Sequence, residues 1–269
     1  MVHTVYPQTL NQIHGHNYVY ISEWLSNNFS NKKIPFVPLI LENKKIKKNL
    51  KKRLNISNDK LVFGCHGGES SFDLRFVQAA LVNIVKKRKD IIFLFLNIKK
   101  FYKHPQIKFL KGTADDVYKD EFINTCDAMI YGRSLGESFG LACGDFAIQN
   151  KKIISYEFNR HRSHAYNIPS KSFTEYNSYK SLFKIICNFK KKKSVTTYSN
   201  KYKNYSSKKV MNIFNKVFLK KKNLIKISIK DYFKNYINFF IMFCHYLKHK
   251  IYNHYFNYIE SKFINKITR

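Results

Sequence analysis

Short apolar runs alternate with stretches of helical periodicity between residues 61 and 156. The run at 91–96, IIFLFL, has no polar face, as expected of a strand that is buried on both sides of a parallel sheet. Strands and helices that alternate at this spacing predict βαβ units, and therefore an α/β fold with a doubly wound, Rossmann-like parallel sheet. The predicted strands are 61–65, 91–96, 107–110, 128–132 and 152–156, and the predicted helices are 72–85, 115–125 and 139–149.

The segments that flank this core have weaker patterns. Before it, we predict a helix at 21–29, an extended segment at 34–41 and a solvated, Lys-rich helix face at 43–53. After it, we predict a loop that holds His161 and His164, a helix at 176–189, a linker at 190–207 and helices at 210–219 and 231–267. The chain is accordingly divided into a leading segment with a helix (1–60), a Rossmann-like domain (61–220) and a basic, aromatic helical extension (221–269).

A glycine-rich turn, GCHGGESS at residues 64–71, joins the first core strand to the helix that follows. Ligands of open α/β sheets bind at the carboxyl ends of the strands, where this turn lies. Gly67 and Gly68 permit close approach of the backbone, and the helix start offers amides to an anion. Two interpretations stay open here: a ligand-binding turn that includes His66, Gly67 and Gly68, or an ordinary structural turn.

A second turn, YGRSLGESFGLACGD at residues 131–145, carries more chemistry. Gly140 lies at the predicted helix start, where a side chain would block a ligand. The amides of residues 139–141 are placed to cradle a phosphate, and Arg133 is able to pair with one through two hydrogen bonds. Asp145 follows about two turns into the helix, within reach of a ribose hydroxyl. The turn therefore predicts a phosphate-plus-ribose pocket that a nucleotide would fill.

Charge is the unusual feature of the composition. The chain has 49 Lys and Arg against 17 Asp and Glu, a formal net charge of +32. Two explanations stay open: a preference for an anionic partner, or a genome bias toward AT-rich codons, which would raise Lys, Asn, Ile, Phe and Tyr together. The bias does not account for the scarcity of Asp and Glu, which favours an anionic partner. No nucleic-acid recognition module accompanies the charge, so nucleic acid is the weaker choice of partner.

Cysteine and histidine patterns predict no metal site. The five cysteines are scattered without a C-x-x-C pair, which favours a reducing compartment over a zinc site or a disulfide framework. His161 and His164 have metal-like spacing, but Glu157 is the nearest further ligand, so we expect them in a loop close to the bound ligand. No signal peptide and no membrane span are predicted, and we expect a cytoplasmic protein.

The second turn also carries a family resemblance. The run ESFGLACGD, from Glu137 to Asp145, resembles the E-x7-E motif of retaining GT-B glycosyltransferases of family 4, also called glycosyl transferases group 1. The stretches 109–133 and 150–156 follow the order of that family, and residues 21–41 are similar to its crossover from acceptor domain to donor domain. The resemblance covers about residues 21–219, and it implies a chain that holds the donor-binding C-terminal domain alone.

The resemblance implies transfer of a sugar from a nucleotide-sugar donor, with no metal ion and no cofactor beyond the donor. Glu137 would be the catalytic residue that faces the donor sugar, and Asp145 would hold the ribose in place of the usual Glu. The other donor-binding residues would be Arg133, Ser138, Phe139, Gly140, Leu141, His66, Gly67, Gly68, Gly112 and Thr113.

The sequence departs from the family pattern in two respects. Cys65 and Ser70 stand where such enzymes often have the cations that clamp the diphosphate, a role that Arg75 or Arg133 would take over. No acceptor domain precedes the crossover, so we expect a truncated chain, an acceptor domain supplied by a separate chain, or a degenerate copy of such an enzyme. Three functions therefore stay open: a transferase completed by an acceptor-domain partner, a non-catalytic nucleotide-sugar-binding or partner subunit, and a basic nucleic-acid-binding protein.

The extension has apolar residues near helical spacing, with lysines between them, at residues 231–267. Three roles are open for it: packing against the donor domain, docking on an acceptor-domain partner, and lying on an anionic membrane surface. The resemblance favours the third role, in which the protein is peripheral to a membrane.

Overall fold

The computed structural model describes residues 1–15, 17–42, 46–190, 197–220 and 226–267, with the helical backbone alone for residues 257–267. The strands are β1 (Val2–Thr4), β2 (Tyr18–Tyr20), β3 (Leu61–His66), β4 (Ile91–Leu96), β5 (Ile107–Leu110), β6 (Ala128–Tyr131), β7 (Gly136–Glu137), β8 (Lys152–Tyr156), β9 (His161–Arg162) and β10 (Phe173–Tyr176). The helices are α1 (Glu23–Ser30), α2 (Arg75–Lys87), α3 (Asp116–Thr125), α4 (Leu141–Ile148), α5 (Ser163–Asn167), α6 (Tyr179–Cys187), α7 (Ser207–Phe214) and α8 (Ile229–Ile267).

Six parallel strands form the central sheet in the order β10-β8-β6-β3-β4-β5. From β3 the chain adds β4 and β5 toward one edge, then returns to add β6, β8 and β10 toward the other. This is the 3-2-1-4-5-6 order of doubly wound nucleotide-binding sheets, whose switch point lies between the first and fourth strands. The predicted α/β fold class is confirmed, and the switch point lies between β3 and β6.

Strand β4 is buried along its whole length, which explains its unbroken apolar sequence. Helices α2 and α4 cover the sheet, and the aromatic pairs Phe63–Phe93 and Phe95–Phe109 pack with ring centroids 5.7 and 5.2 Å apart. Each fully buried side chain of this kind contributes about 1.5–3 kcal/mol to the free energy of unfolding. The sheet therefore supplies a rigid base for the turns that follow its strands.

Three local predictions differ from the structure. Helix α2 begins at Arg75 rather than at residue 72, because the Asp73 carboxylate accepts hydrogen bonds from Ser134 N and Oγ at 2.7 and 2.6 Å and holds the preceding residues in a loop. Residues 46–50 are irregular and residues 51–55 form turns instead of the predicted helix, in which neighbouring lysines would repel one another; residues 43–45 lie outside the described residues. Part of the predicted 176–189 helix is the end of strand β10, which pairs with β8.

The segments around the domain pack onto it. Tyr18, Val19 and Tyr20 of the leading segment are buried in the same hydrophobic core as the sheet. In the predicted linker, Tyr202 is buried beside α4, while residues 191–196 lie outside the described part of the chain. The last helix, α8, packs against α1 and α2. Within the described residues, no helix has both the length and the hydrophobicity needed to cross a bilayer.

Candidate functional site

A cavity of ≈ 710 Å³ opens at the carboxyl ends of β3 and β6. Open α/β sheets bind their ligands at this crevice, and the volume is in the range of small-molecule sites. Both turns that the sequence indicates contribute to its wall. The predicted site residues in the wall are His66, Gly67, Gly68, Arg133, Glu137, Ser138, Phe139, Gly140, Leu141 and Asp145.

Gly112 and Thr113 lie apart from these residues. They follow β5 and line a separate depression of ≈ 800 Å³ together with Lys99 and Lys111. Asn97 stands between the two regions: its side-chain amide donates to the Gly67 carbonyl at 2.8 Å, and its Oδ1 would lie 2.5 Å from a Cβ at Gly112. The structure thus does not bring the predicted donor-binding residues Gly112 and Thr113 into the cavity that holds Asp145.

The start of α4 presents backbone amides to the cavity. Gly140 precedes the helix with φ of 93°, a left-handed conformation that favours glycine, and a Cβ there would lie 2.7 Å from the Tyr202 hydroxyl. That hydroxyl donates a hydrogen bond to the Phe139 carbonyl at 2.6 Å and fixes the turn. Among the described residues no side chain caps the helix at Gly140, so its first amides remain available to an anion, which the helix dipole also attracts.

Asp145 lies within α4 at the centre of a charged cluster. Its Oδ2 is 3.5 Å from Lys119 Nζ and 3.3 Å from His66 Nε2. The His66 nitrogen is at ion-pair distance, yet it has no aligned hydrogen-bond partner in the described part of the chain, which leaves it able to donate to a ligand. Burial lowers the pKa of Lys119, but Asp145 and Asp116 outweigh this effect and leave that pKa raised, so the ammonium stays charged beside the cavity.

Glu137 lies in the turn between β6 and α4, where two side chains hold its carboxylate. Its Oε1 accepts hydrogen bonds from the Tyr131 hydroxyl at 2.7 Å and from Arg133 Nη1 at 3.1 Å. Burial and the Glu137 charge raise the pKa of Tyr131, so the phenol remains a donor. The arrangement fixes the carboxylate in one orientation toward the cavity and partly neutralises Arg133.

A buried polar network supports this turn from behind. Asn159 Nδ2 donates to the Arg133 carbonyl at 2.5 Å, and Asn159 Oδ1 lies 3.2 Å from both Ser155 Oγ and His164 Nε2. Burial, with the nearby positive charge of Arg162, lowers the pKa of His164 to about 3, so the ring is neutral.

His161 joins the same turn by pairing with it. The His161 amide donates to the Leu135 carbonyl at 2.8 Å, and β9 pairs with β7 through His161 and Gly136. Burial, with the charges of Arg160 and Arg133, lowers the pKa of His161 to about 4. His161 and His164 are thus in a short strand and a helix rather than a loop. The described residues contain no group of three or more His, Cys, Asp or Glu side chains able to hold a metal ion.

The leading segment closes one side of the cavity. Ile21 and residues 39–42 are among the lining residues, and the Leu41 amide donates to the Tyr205 carbonyl at 2.8 Å. A Cβ at Gly144 would lie 2.5 Å from a Leu41 methyl group, so glycine is needed for this close packing against α4. Residues far apart in the sequence therefore build one wall.

Sequence reasoning missed the contribution of α3. Asp116, Lys119 and Asp120 line the cavity, although no glycine-rich turn accompanies them. Their spacing at i, i+3 and i+4 places them on one face of the helix, and this was the available signal. The sequence indicated Arg75 or Arg133 as the cation that clamps the phosphate. Arg133 lines the cavity and Arg75 does not, while Lys119 also lines the cavity and is a further candidate for this role.

Comparison with known proteins bears on the fold. No family model matches the sequence, and no curated protein matches it. Among solved structures, the GtfA/B complex aligns with a TM-score of 0.55 over 77% of this chain and 45% of that chain, at 12% identity. The chain has a Rossmann-like fold of the GT-B type.

Further GT-B structures align less closely. HepE from Anabaena, in complex with UDP and glucose, gives a TM-score of 0.48 at 15% identity over 62% of this chain and 49% of that chain. TarM from S. aureus, in complex with fondaparinux, alpha-GlcNAc-glycerol and UDP, gives 0.49 at 10% identity over 85% and 44%. The chain spans about half the length of each of these three structures.

Proposed function

We propose that this chain binds a nucleotide-sugar in the cavity between β3 and β6 and serves as the donor-binding part of a retaining glycosyltransferase. The observation that carries the proposal is the uncapped start of α4, with Gly140 in the left-handed conformation and Arg133 and Asp145 on either side of it in the sequence. A helix start attracts phosphate, and a carboxylate accepts hydrogen bonds from ribose. The GT-B fold supports a nucleotide site by analogy with other proteins of that fold.

The proposed placement follows from the chemistry of each group. The diphosphate lies against the backbone of Ser138, Phe139, Gly140 and Leu141, where the amides and the helix dipole favour negative charge. The ribose lies near Asp145, whose Oδ2 is 3.5 Å from Lys119 Nζ and 3.3 Å from His66 Nε2 and whose Oδ1 would accept a ribose hydroxyl.

In the proposed reaction, the bond between the anomeric carbon and the diphosphate oxygen breaks, and its electron pair leaves with the nucleoside diphosphate. The α4 amides and the cations Arg133 and Lys119 stabilise that developing charge, so we propose no metal ion and no further cofactor. Glu137, oriented by Tyr131 and Arg133, faces the sugar whose anomeric carbon becomes electron-poor. We propose that a separate chain binds the acceptor, whose hydroxyl oxygen bonds to the anomeric carbon as its proton passes to the departing diphosphate.

A nucleoside diphosphate is expected to stabilise the purified full chain against heat. Ligand at about 100 times its dissociation constant adds roughly 2.7 kcal/mol to the free energy of unfolding, which corresponds to a rise of about 5 °C in melting temperature for a chain of this size. Differential scanning fluorimetry with UDP, GDP and ADP, and then with their sugar conjugates, measures the shift. Adenosine without phosphate is the control. No rise in melting temperature with any of the three diphosphates at millimolar concentration would refute the proposed donor site.

Asp145→Ala is expected to weaken nucleoside diphosphate binding by about tenfold to 150-fold, since a hydrogen bond to a charged group contributes roughly 1.5–3 kcal/mol. Pyrophosphate, which has no ribose, should bind as well as before or better, because the substitution releases Lys119 from its ion pair. Isothermal titration calorimetry compares the two ligands. Glu137→Gln is the matched variant: it should spare both affinities and abolish hydrolysis of the donor. Equal losses for nucleotide and pyrophosphate in Asp145→Ala would assign Asp145 a structural role.

A further inference from the structure

Helix α8 faces the domain with polar and aromatic side chains together, and Phe239, Tyr252 and Phe256 pack against the hydrophobic core. Asp231, Asn235 and Met242 are buried, and Asn235 Nδ2 donates to the Phe29 carbonyl at 2.6 Å and to the Gln8 carbonyl at 3.0 Å. Asn238 Nδ2 donates to the Asn28 carbonyl at 2.5 Å. These bonds satisfy carbonyl groups at the end of α1, where a helix leaves its last backbone oxygens without partners. The inner side of α8 is therefore fastened by directional hydrogen bonds.

The outer face of α8 is apolar and exposed. Ile229, Phe233, Phe240 and Ile251 expose 90%, 68%, 67% and 69% of their surface, and Tyr236 and Leu247 lie on the same side. A helix on the surface of a water-soluble domain normally presents a polar face to solvent. Contiguous exposed apolar surface of this kind marks an interaction site rather than an ordinary surface. This set of six residues is called the outer face below.

The outer face is broad and has lysines along both edges. At 100° per residue, the exposed apolar side chains other than Tyr246 span an arc of about 160°, from Phe243 to Ile241, and Tyr246 lies about 60° beyond Phe243. Lys230 and Lys248 lie near one edge of that arc, and Lys250 lies beyond the other. A seam that receives a single partner helix is narrower than this. A wide apolar face with basic residues along its borders is the arrangement of a helix that lies in a membrane interface.

Charge distinguishes between the possible occupants of the outer face. Between residues 229 and 256 the sequence contains one acidic residue, Asp231, and it lies on the buried side. A second copy of the chain would bring equal positive charge to this face and no carboxylate from this part of α8 to balance it. An anionic surface complements the lysines and accepts the aromatic and aliphatic side chains together.

We infer that α8 docks the protein on an anionic lipid bilayer, with its axis in the plane of the interface and the outer face in the boundary between headgroups and acyl chains. This inference is independent of the proposed nucleotide site. It uses the hydrogen bonds of Asn235 and Asn238 as the attachment of α8 to the domain, and it leaves the cavity residues untouched. The hydrogen bonds of Asn235 and Asn238 hold α8 on the domain, while its outer face remains available to lipid.

Vesicle sedimentation of the full chain tests this inference. We expect it to sediment with vesicles of phosphatidylcholine and phosphatidylglycerol at low salt, and much less with phosphatidylcholine alone or at high salt. The double variant Phe233→Ser, Phe240→Ser should lose at least about tenfold in affinity, because it removes two large side chains from the outer face. Lys230→Gln with Lys248→Gln should lose a similar factor for anionic vesicles only. The matched control is Tyr102→Ser with Met211→Ser, which changes exposed apolar residues outside α8 and should bind as the unchanged chain does.

Fluorescence tests which side of α8 meets the lipid. The chain has one tryptophan, Trp24, which packs against Phe29. Phe240→Trp adds a second on the outer face, and lipids brominated near the headgroup should quench its emission while leaving that of Trp24 in the unchanged chain intact. The same preparations are examined by sedimentation velocity and for nucleotide binding, which should persist in the outer-face variant.

Four results would overturn the inference. They are no vesicle binding at all, equal binding to neutral and anionic vesicles, unchanged binding by the Phe233→Ser, Phe240→Ser variant, and quenching of Trp24 but not of the new tryptophan. Self-association without lipid that disappears in the outer-face variant, combined with an absence of vesicle binding, would assign the face to a second copy of the chain.

Discussion

Acidification is expected to destabilise this protein strongly between about pH 7.5 and about pH 4.5. His161 and His164 have folded-state pKa values of about 4 and about 3, held below the ordinary value mainly by burial. In the unfolded chain a histidine takes up its proton near pH 6.5. The two rings therefore contribute stability that is fully present above that pH and is lost as the pH falls. At about 1.4 kcal/mol per pH unit for each ring, the loss reaches about 5 kcal/mol over this range.

Urea unfolding at a series of pH values measures this loss. The slope of the unfolding free energy against pH should correspond to at least about two protons taken up on unfolding by His161 and His164. His245 and His249, whose pKa values burial also lowers, and the carboxylates add to that slope. His161→Gln removes one titrating ring while its backbone amide keeps the hydrogen bond to Leu135, so its slope should be lower by about one proton. A slope that is the same in both proteins would show that His161 titrates normally in the folded state.

Gly136→Ala is expected to lower the free energy of unfolding by roughly 2–5 kcal/mol. Gly136 has φ of 73°, and a left-handed backbone costs a residue with a Cβ roughly 1–2 kcal/mol. The new Cβ would also lie 2.0 Å from the His161 carbonyl oxygen, and the backbone shift that relieves such a clash adds roughly 1–3 kcal/mol. Because β7 pairs with β9 here, the strain acts on the turn that positions Glu137.

Gly68→Ala is the matched control for this substitution. Gly68 also lines the cavity, but a Cβ there would have no atom within 4 Å, and its φ lies outside the left-handed region. It should change stability by less than about 1 kcal/mol. Chemical denaturation of the three proteins compares them. Equal stability of Gly136→Ala and Gly68→Ala would mean that the 134–138 turn adjusts freely and does not fix Glu137.

The sequence predicted those features of the fold and the site that depend on a single strand or helix. The apolar run of β4 predicts a doubly covered strand without knowledge of its neighbours, and the helix start at Gly140 needs a small residue whatever lies opposite. The α/β class and most of the cavity lining follow from such local signals. The strand order does not follow from local signals, because it depends on β6 pairing with β3 rather than with the edge strand β5.

What the sequence did not reveal depends on contacts between distant residues. Lys119 reaches Asp145 only because α3 and α4 lie side by side, and Tyr202 seemed part of a linker because its partner, the Phe139 carbonyl, is 63 residues away. The exposed apolar face of α8 was hidden for the same reason. The sequence left three roles open for this helix, and its buried side is identified by the hydrogen bonds of Asn235 and the contact of Phe239 with Phe29.

The bond between the Leu41 amide and the Tyr205 carbonyl has a consequence for synthesis of the chain. The ribosome synthesises a polypeptide from its amino end. Residues 39–42 are therefore made before the strands of the sheet, and their partners near Tyr202 and Tyr205 are made after those strands. All six strands of the sheet are complete by Tyr176, yet the wall beside α4 is not. Contacts of such long separation form late in folding. A nascent chain that stops near residue 190 would therefore have its sheet but an open cavity, and ligand affinity would report whether translation had passed Tyr205.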